Sequence, residues 1–154
     1  MTDAEHWLWR LDADGWMRAA LTELESGADH VAVRRTAITH ARRAAGMALN
    51  AVLVAWARAQ GTAEASDAAE SRWGRSYIDH LRLLGEAGPE GQVPLDPRAA
   101  EAARALMAIP VVPREPLVQL HKAPNGPSQQ ALDHARAVVH ACASVLEGLR
   151  TAAL

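Results

Sequence analysis

Ile38-Thr-His-Ala-Arg-Arg-Ala-Ala-Gly-Met-Ala-Leu-Asn-Ala-Val-Leu-Val-Ala-Trp-Ala57 decides the fold of this chain. Alanine is the strongest helix former, and small side chains spaced by three and four let a second helix approach closely. The stripe can be followed from Val31 through Ile38, Ala41, Ala45, Ala48, Leu49 and Val52 to Trp56. That period belongs to an amphipathic helix, expected from near Asp29 to Gln60-Gly61.

Upstream, Thr2 or Asp3 can cap a first helix running to about Ser26-Gly27, with Trp9, Ala13, Trp16, Ala20 and Leu24 along one side. The short connection predicts an antiparallel hairpin of helices one and two. Downstream, a third helix is expected over about Ala68 to Glu86. Asp96-Pro97 is a cap followed by a proline at the first helical position, which sets a fourth helix from Pro97 to about Ala108. Prolines 110, 113, 116, 124 and 127 exclude regular helix across the next connection. A last helix is expected from about Ser128 to Thr151, burying Leu132, Ala135, Val139, Cys142, Leu146 and Leu149. No stretch alternates with period two long enough for a strand. The expected architecture is therefore all-α, a single up-and-down bundle of about five helices forming one domain over residues 1–154.

Composition agrees with one globular core. The 154 residues are 49% hydrophobic and 22% charged, outside the range of disordered chains, and a domain of this size buries roughly 70% of its unfolded surface. A formal net charge of −2 exerts no general pull on nucleic acid or anionic lipid. Fifteen of the 16 basic residues are arginine, Lys122 being the exception, a bias that GC-rich coding explains as well as function does. The single cysteine, Cys142, has no intramolecular partner, as suits a reducing compartment, and its place in an apolar stripe predicts an inert thiol. Met1 to Trp7 lacks the basic and apolar regions of a signal peptide, and the apolar run from Ala44 to Ala57 is interrupted by Gly46 and Asn50 and is too short to span a bilayer. A cytoplasmic protein without membrane association is expected.

The chemistry-bearing residues are sparse. No two of the seven histidines stand four apart, and none follows a glutamate by three, so the common helical metal motifs are missing and neither metal nor cofactor is expected. His134 is read as a surface residue and His140 as a structural histidine at the edge of the buried stripe. Glycine-rich nucleotide motifs and a nucleophile elbow are also missing. Two features of helix two remain. Arg34, Arg35, Arg42 and Arg43, close to His40, form the densest basic cluster, able to hold phosphate or carboxylate or to pair with a neighbouring helix. Asn50 interrupts the apolar middle and, if buried, needs a partner.

The order of these features resembles the HEPN family of small helical domains across nearly the whole chain. Four segments carry the resemblance: Trp9-x3-Ala13-x6-Ala20; His40-Ala-Arg-Arg-Ala-Ala-Gly-Met-Ala-Leu-Asn-Ala-Val-Leu53, with Asn50 where the family often has lysine; Asp79-His80-Leu81-Arg-Leu-Leu84; and Leu120-His-Lys-Ala-Pro-Asn125. The resemblance implies a homodimeric, non-catalytic nucleotide-binding or protein-interaction module, with Arg35, Arg42, Arg43 and Asn50 as candidate ligand-binding residues. It also implies a small nucleotidyltransferase as a candidate partner, in a toxin–antitoxin-like setting, and nucleotide or RNA as candidate ligands. Some members of the family are metal-independent ribonucleases using an arginine and a histidine four to six residues apart. This chain offers Arg75-x4-His80, Arg34-x5-His40, Arg35-x4-His40 and Arg114-x6-His121; Arg75 and His80 are the candidate pair because they start an expected helix, with His80 as general base and Arg75 stabilising the anionic transition state. A docking scaffold without a ligand is the third reading.

Overall fold

The computed structural model describes residues 10–60, 81, 95–112 and 126–153. Among these residues all regular structure is helical: α1 (Ala13–Asp29), α2 (Arg34–Gln60), α3 (Pro97–Ala108) and α4 (Gly126–Ala153). The third helix expected from sequence falls outside the described residues except for Leu81, which is fully buried in the core. Nothing among the described helices is long and apolar enough to cross a membrane.

The start of α1 corrects the sequence reading. Arg10 and Leu11 lie outside the α-helix, and Asp12 sits in extended backbone as the N-cap. Its carboxylate accepts from the Gly15 amide at 2.7 Å and its carbonyl accepts from Trp16 N–H at 3.0 Å. An aspartate able to satisfy an orphan amide sets a helix start more strongly than a preceding apolar period can extend the helix through it.

The other end of α1 corrects a second reading. The helix passes through Gly27 to Asp29, and α2 begins at Arg34 rather than near Asp29. Gly27 is a packing residue, not a terminator. A Cβ added there would stand 2.8 Å from Leu132 Cδ2 on α4 and 3.2 Å from His40 Cβ on α2, so the absence of a side chain lets three helices meet. The turn closes with His30 N–H donating to the Ser26 and Gly27 carbonyls, both at 3.2 Å, and Val33 N–H donating to His30 O at 2.8 Å.

α2 is the central element. It packs along α1 on one side and α4 on another, α4 also carries α3, and α1 touches α4. From Ala44 to Val54 every residue of α2 is buried, which is the signature of a helix surrounded by others rather than lying on a surface. Ile38, Leu49, Leu53, Leu106, Leu132 and Val138 are, with Leu81, among the large fully buried side chains of this core, and α1 contributes Trp16 and Ala20. α3 runs over the residues expected for it: Asp96 caps it by accepting from Arg98 N–H at 2.9 Å, and Pro97 occupies the first turn, where it has no amide hydrogen to leave unpaired. α4 is longer by two residues at each end than expected from sequence.

Candidate binding site on the second helix

The first half of α2 sorts its polar residues into rows, because positions four apart share a helix face. Arg34, Ile38 and Arg42 form the row turned toward the end of α3. There the last helical carbonyls lack intrahelical donors and carry the negative end of the helix dipole. Arg34 Nε and Nη2 donate to Pro110 O at 2.9 and 2.6 Å. Arg42 Nη2 donates to Ile109 O at 2.9 Å and Met107 O at 3.2 Å. Burial lowers the pKa of the Arg42 guanidinium, and its Nε is buried without an acceptor. Two of the clustered arginines therefore clamp α3 to α2.

A second row faces α1. His40 Nδ1 lies 2.5 Å from Glu23 Oε2, and the other carboxylate oxygen receives Arg43 Nη2 at 3.4 Å. Glu23 and His40 are largely buried, at 15% and 21% exposed, whereas Arg43 is 44% exposed. The His30 ring stacks beside that of His40, with centroids 6.0 Å apart, and its Nδ1 donates to the Ser26 carbonyl at 2.8 Å. Glu23 and His30 were not singled out by sequence. A signal existed: Glu23 and His40 stand equally far from the middle of the His30–Val33 connection, and equidistant positions face one another in an antiparallel hairpin.

The third row, Arg35, Thr39 and Arg43, is exposed. Among the described residues Arg35 has no hydrogen bond or ion pair, so it presents its guanidinium to solvent.

Asn50 lies farther along α2 and is 0% exposed. Neither its amide oxygen nor its amide nitrogen has a hydrogen-bond partner. The structure thus separates the sequence-derived ligand residues: Arg35 and Arg43 face outward, Arg42 is engaged by α3, and Asn50 is enclosed. The proposed catalytic pair, Arg75 and His80, lies outside the described residues.

His140 is exposed rather than structural. It lines a groove of about 660 Å³ at the start of α3, together with Arg98, Ala141, Ser144 and Leu149, and no residue of α2 lines that groove. Cys142 is buried and free, and burial raises its pKa well above the ordinary thiol range. Among the described residues no group of three or more His, Cys, Asp or Glu side chains is arranged to hold a metal ion. No family model, curated protein or solved structure matches the chain.

Proposed function

We propose that this chain is a non-catalytic HEPN-like binding module, active as a homodimer, that takes an anionic ligand of the nucleotide or RNA class on the exposed Arg35–Thr39–Arg43 row of α2. The observation that supports this reading is the division of labour within one basic cluster. Arg34 and Arg42 are tied to backbone carbonyls of the neighbouring helix end, which fixes the helix that carries Arg35 and Arg43. A row held rigid before binding loses little freedom on meeting a phosphate, and guanidinium groups with a hydroxyl between them match phosphate oxygens. A small nucleotidyltransferase remains the partner that the family resemblance suggests, and phosphate recognition would suit such a pairing.

Thermal shift of the full chain against ATP, GTP and a short RNA tests the reading. Stabilisation that rises with ligand and is lost in Arg35→Gln and Arg43→Gln supports it. No shift at millimolar ligand rejects it in favour of a ligand-free docking scaffold. RNA cleaved by clean protein in EDTA, and intact with folded Arg75→Ala or His80→Ala variants, would replace it with a ribonuclease. Sedimentation equilibrium checks the dimer, and a monomer at all concentrations would remove that part of the proposal.

A further inference from the structure

α4 outruns the helix that lies on it. Its 28 residues make it ~42 Å long, against ~18 Å for the 12 residues of α3. The two run antiparallel, because Ala105 and Ala108 near the end of α3 border one depression with His134, whereas Asp96 and Ala99 at its start border another with residues from Ala137 to Leu149. Beyond the first turn of α3, the face of α4 that carries Ala141, Val145 and Leu149 is therefore not covered by α3. All three of these side chains are half-buried. The step between the short helix and the long one is the groove of about 660 Å³.

Its floor is apolar and its rim is not. Ala141, Val145 and Leu149 stand four apart on one helix face, and a Cβ added at Gly148 beside them would meet nothing within 4 Å. The rim holds Asp96, Arg98, His140 and Ser144. The Asp96 carboxylate accepts from the Arg98 amide at 2.9 Å and faces the positive end of the α3 dipole, so its charge is already met. Arg98 differs. Its side chain is exposed, and among the described residues its guanidinium has neither a hydrogen bond nor an ion pair. One uncompensated cation therefore stands at the edge of an apolar channel, with His140 and Ser144 of α4 as further donors.

We infer that this groove binds a monocarboxylate with an extended apolar chain, its head on Arg98 and its chain along Ala141, Val145 and Leu149. A planar guanidinium receives a carboxylate through two parallel N–H donors, and a single cation matches a single negative charge. A phosphate dianion would carry a second charge toward Asp96. The volume falls within the ~300–1,000 Å³ usual for small-molecule sites, which combine an apolar lining with a few polar groups. From Ala137 to Leu149 the groove follows ~18 Å of helix, room for a medium-length alkyl chain. No residue of α2 lines it, so this site is independent of the Arg35–Thr39–Arg43 row.

Titration of the isotope-labelled full chain with decanoate, followed by amide NMR shifts, tests the site, with decanol as the uncharged comparison. The expected result is saturable shifts concentrated between Ala137 and Leu149 and at the start of α3, with decanoate bound about 5 to 10-fold more tightly than decanol. Arg98→Gln should abolish that preference and leave decanol binding unchanged. Gly148→Leu puts a side chain into the groove and should weaken both ligands by more than about tenfold. Melting temperatures without ligand establish that both variants fold, and leucine, a better helix former than glycine, should not lower that of Gly148→Leu. No saturable shift at millimolar decanoate, equal affinity for decanoate and decanol, or unchanged binding in Gly148→Leu would each overturn the proposal. A dimer that Gly148→Leu dissociates would also overturn it, by assigning the groove to a second copy of the chain.

Discussion

The two halves of α2 obey different physics although they belong to one uninterrupted helix. From Arg34 to Arg43 three faces carry three polar jobs: clamping α3, pairing with Glu23, and meeting solvent. From Ala44 to Val54 no face meets solvent, and the only polar side chain there, Asn50, is without a partner. Helical hydrogen bonding is indifferent to this change, because it runs through the backbone. What changes is the surrounding, and with it the meaning of a side chain. A cation in the first half is useful wherever it points, whereas an amide in the second half is a cost unless something meets it.

Truncation in the enclosed half should have the largest effect. Leu49 is 1% exposed, and Leu49→Ala is expected to lose about 2 to 5 kcal/mol of stability, combining lost burial with a cavity that surrounding alanines are too small to fill. Urea denaturation measures it, and a loss below about 1 kcal/mol would show that the middle of α2 is less tightly enclosed than its burial indicates. Next comes the clamp. Arg42→Met keeps the apolar stem but leaves the carbonyls of Met107 and Ile109 without their charged donor. The expected loss is about 1.5 to 3 kcal/mol, the range for hydrogen bonds to charged groups. Hydrogen exchange in α3 should quicken more than in α1, which separates loss of the clamp from general destabilisation.

The interior also holds Cys142, whose burial gives a pH dependence with a definite sign. Its folded-state pKa is raised by desolvation, so the folded thiol stays neutral while the unfolded thiol ionises above its ordinary value of about 8.5. The unfolded state then binds fewer protons, and stability should fall by up to about 1.4 kcal/mol per pH unit above that value while being unaffected by this group below it. Cys142→Ala should flatten that alkaline slope relative to wild type. The native thiol should resist disulfide reagents until the protein unfolds. Rapid labelling under native conditions would contradict its burial.

Asn50 offers a gain of stability. Asn50→Leu replaces an unpaired buried amide with an apolar group of similar size and is expected to stabilise by about 1 kcal/mol. If instead it destabilises by as much, the amide is meeting a partner that the fold needs, and the second half of α2 then also has a polar role.

The same contrast explains what could be read from sequence. The apolar period of α2 and the Asp96-Pro97 start of α3 were legible because they are local rules, and the core positions Ile38, Ala41, Ala45, Ala48, Leu49 and Val52 are buried as that period requires. The capping role of Asp12 is hidden in the sequence because the Trp9–Ala13–Trp16 spacing runs through it, and a period carries no information about where backbone amides are satisfied. Gly27 has the local signature of a helix stop, but its role depends on Leu132, more than a hundred positions away. The arginines were visible as a cluster. Their assignment to α3, Glu23 or solvent was not, since it is decided by which helix end lies across from each row.

The smallest stability effect belongs to the outward row, where function and fold can be separated most cleanly. Arg35 has no partner among the described residues, and Arg43 holds Glu23 only at 3.4 Å from a partly solvated position, where water and salt weaken the attraction. Arg35→Gln and Arg43→Gln should each change stability by less than about 0.5 kcal/mol, as exposed substitutions generally do. If this row binds phosphate, the same two variants should remove the thermal shift produced by ATP, GTP or short RNA, so that residues contributing almost nothing to the fold carry the ligand response. Stability losses as large as that of Arg42→Met would place Arg35 and Arg43 with the clamp, and the first half of α2 would then be structural on every face.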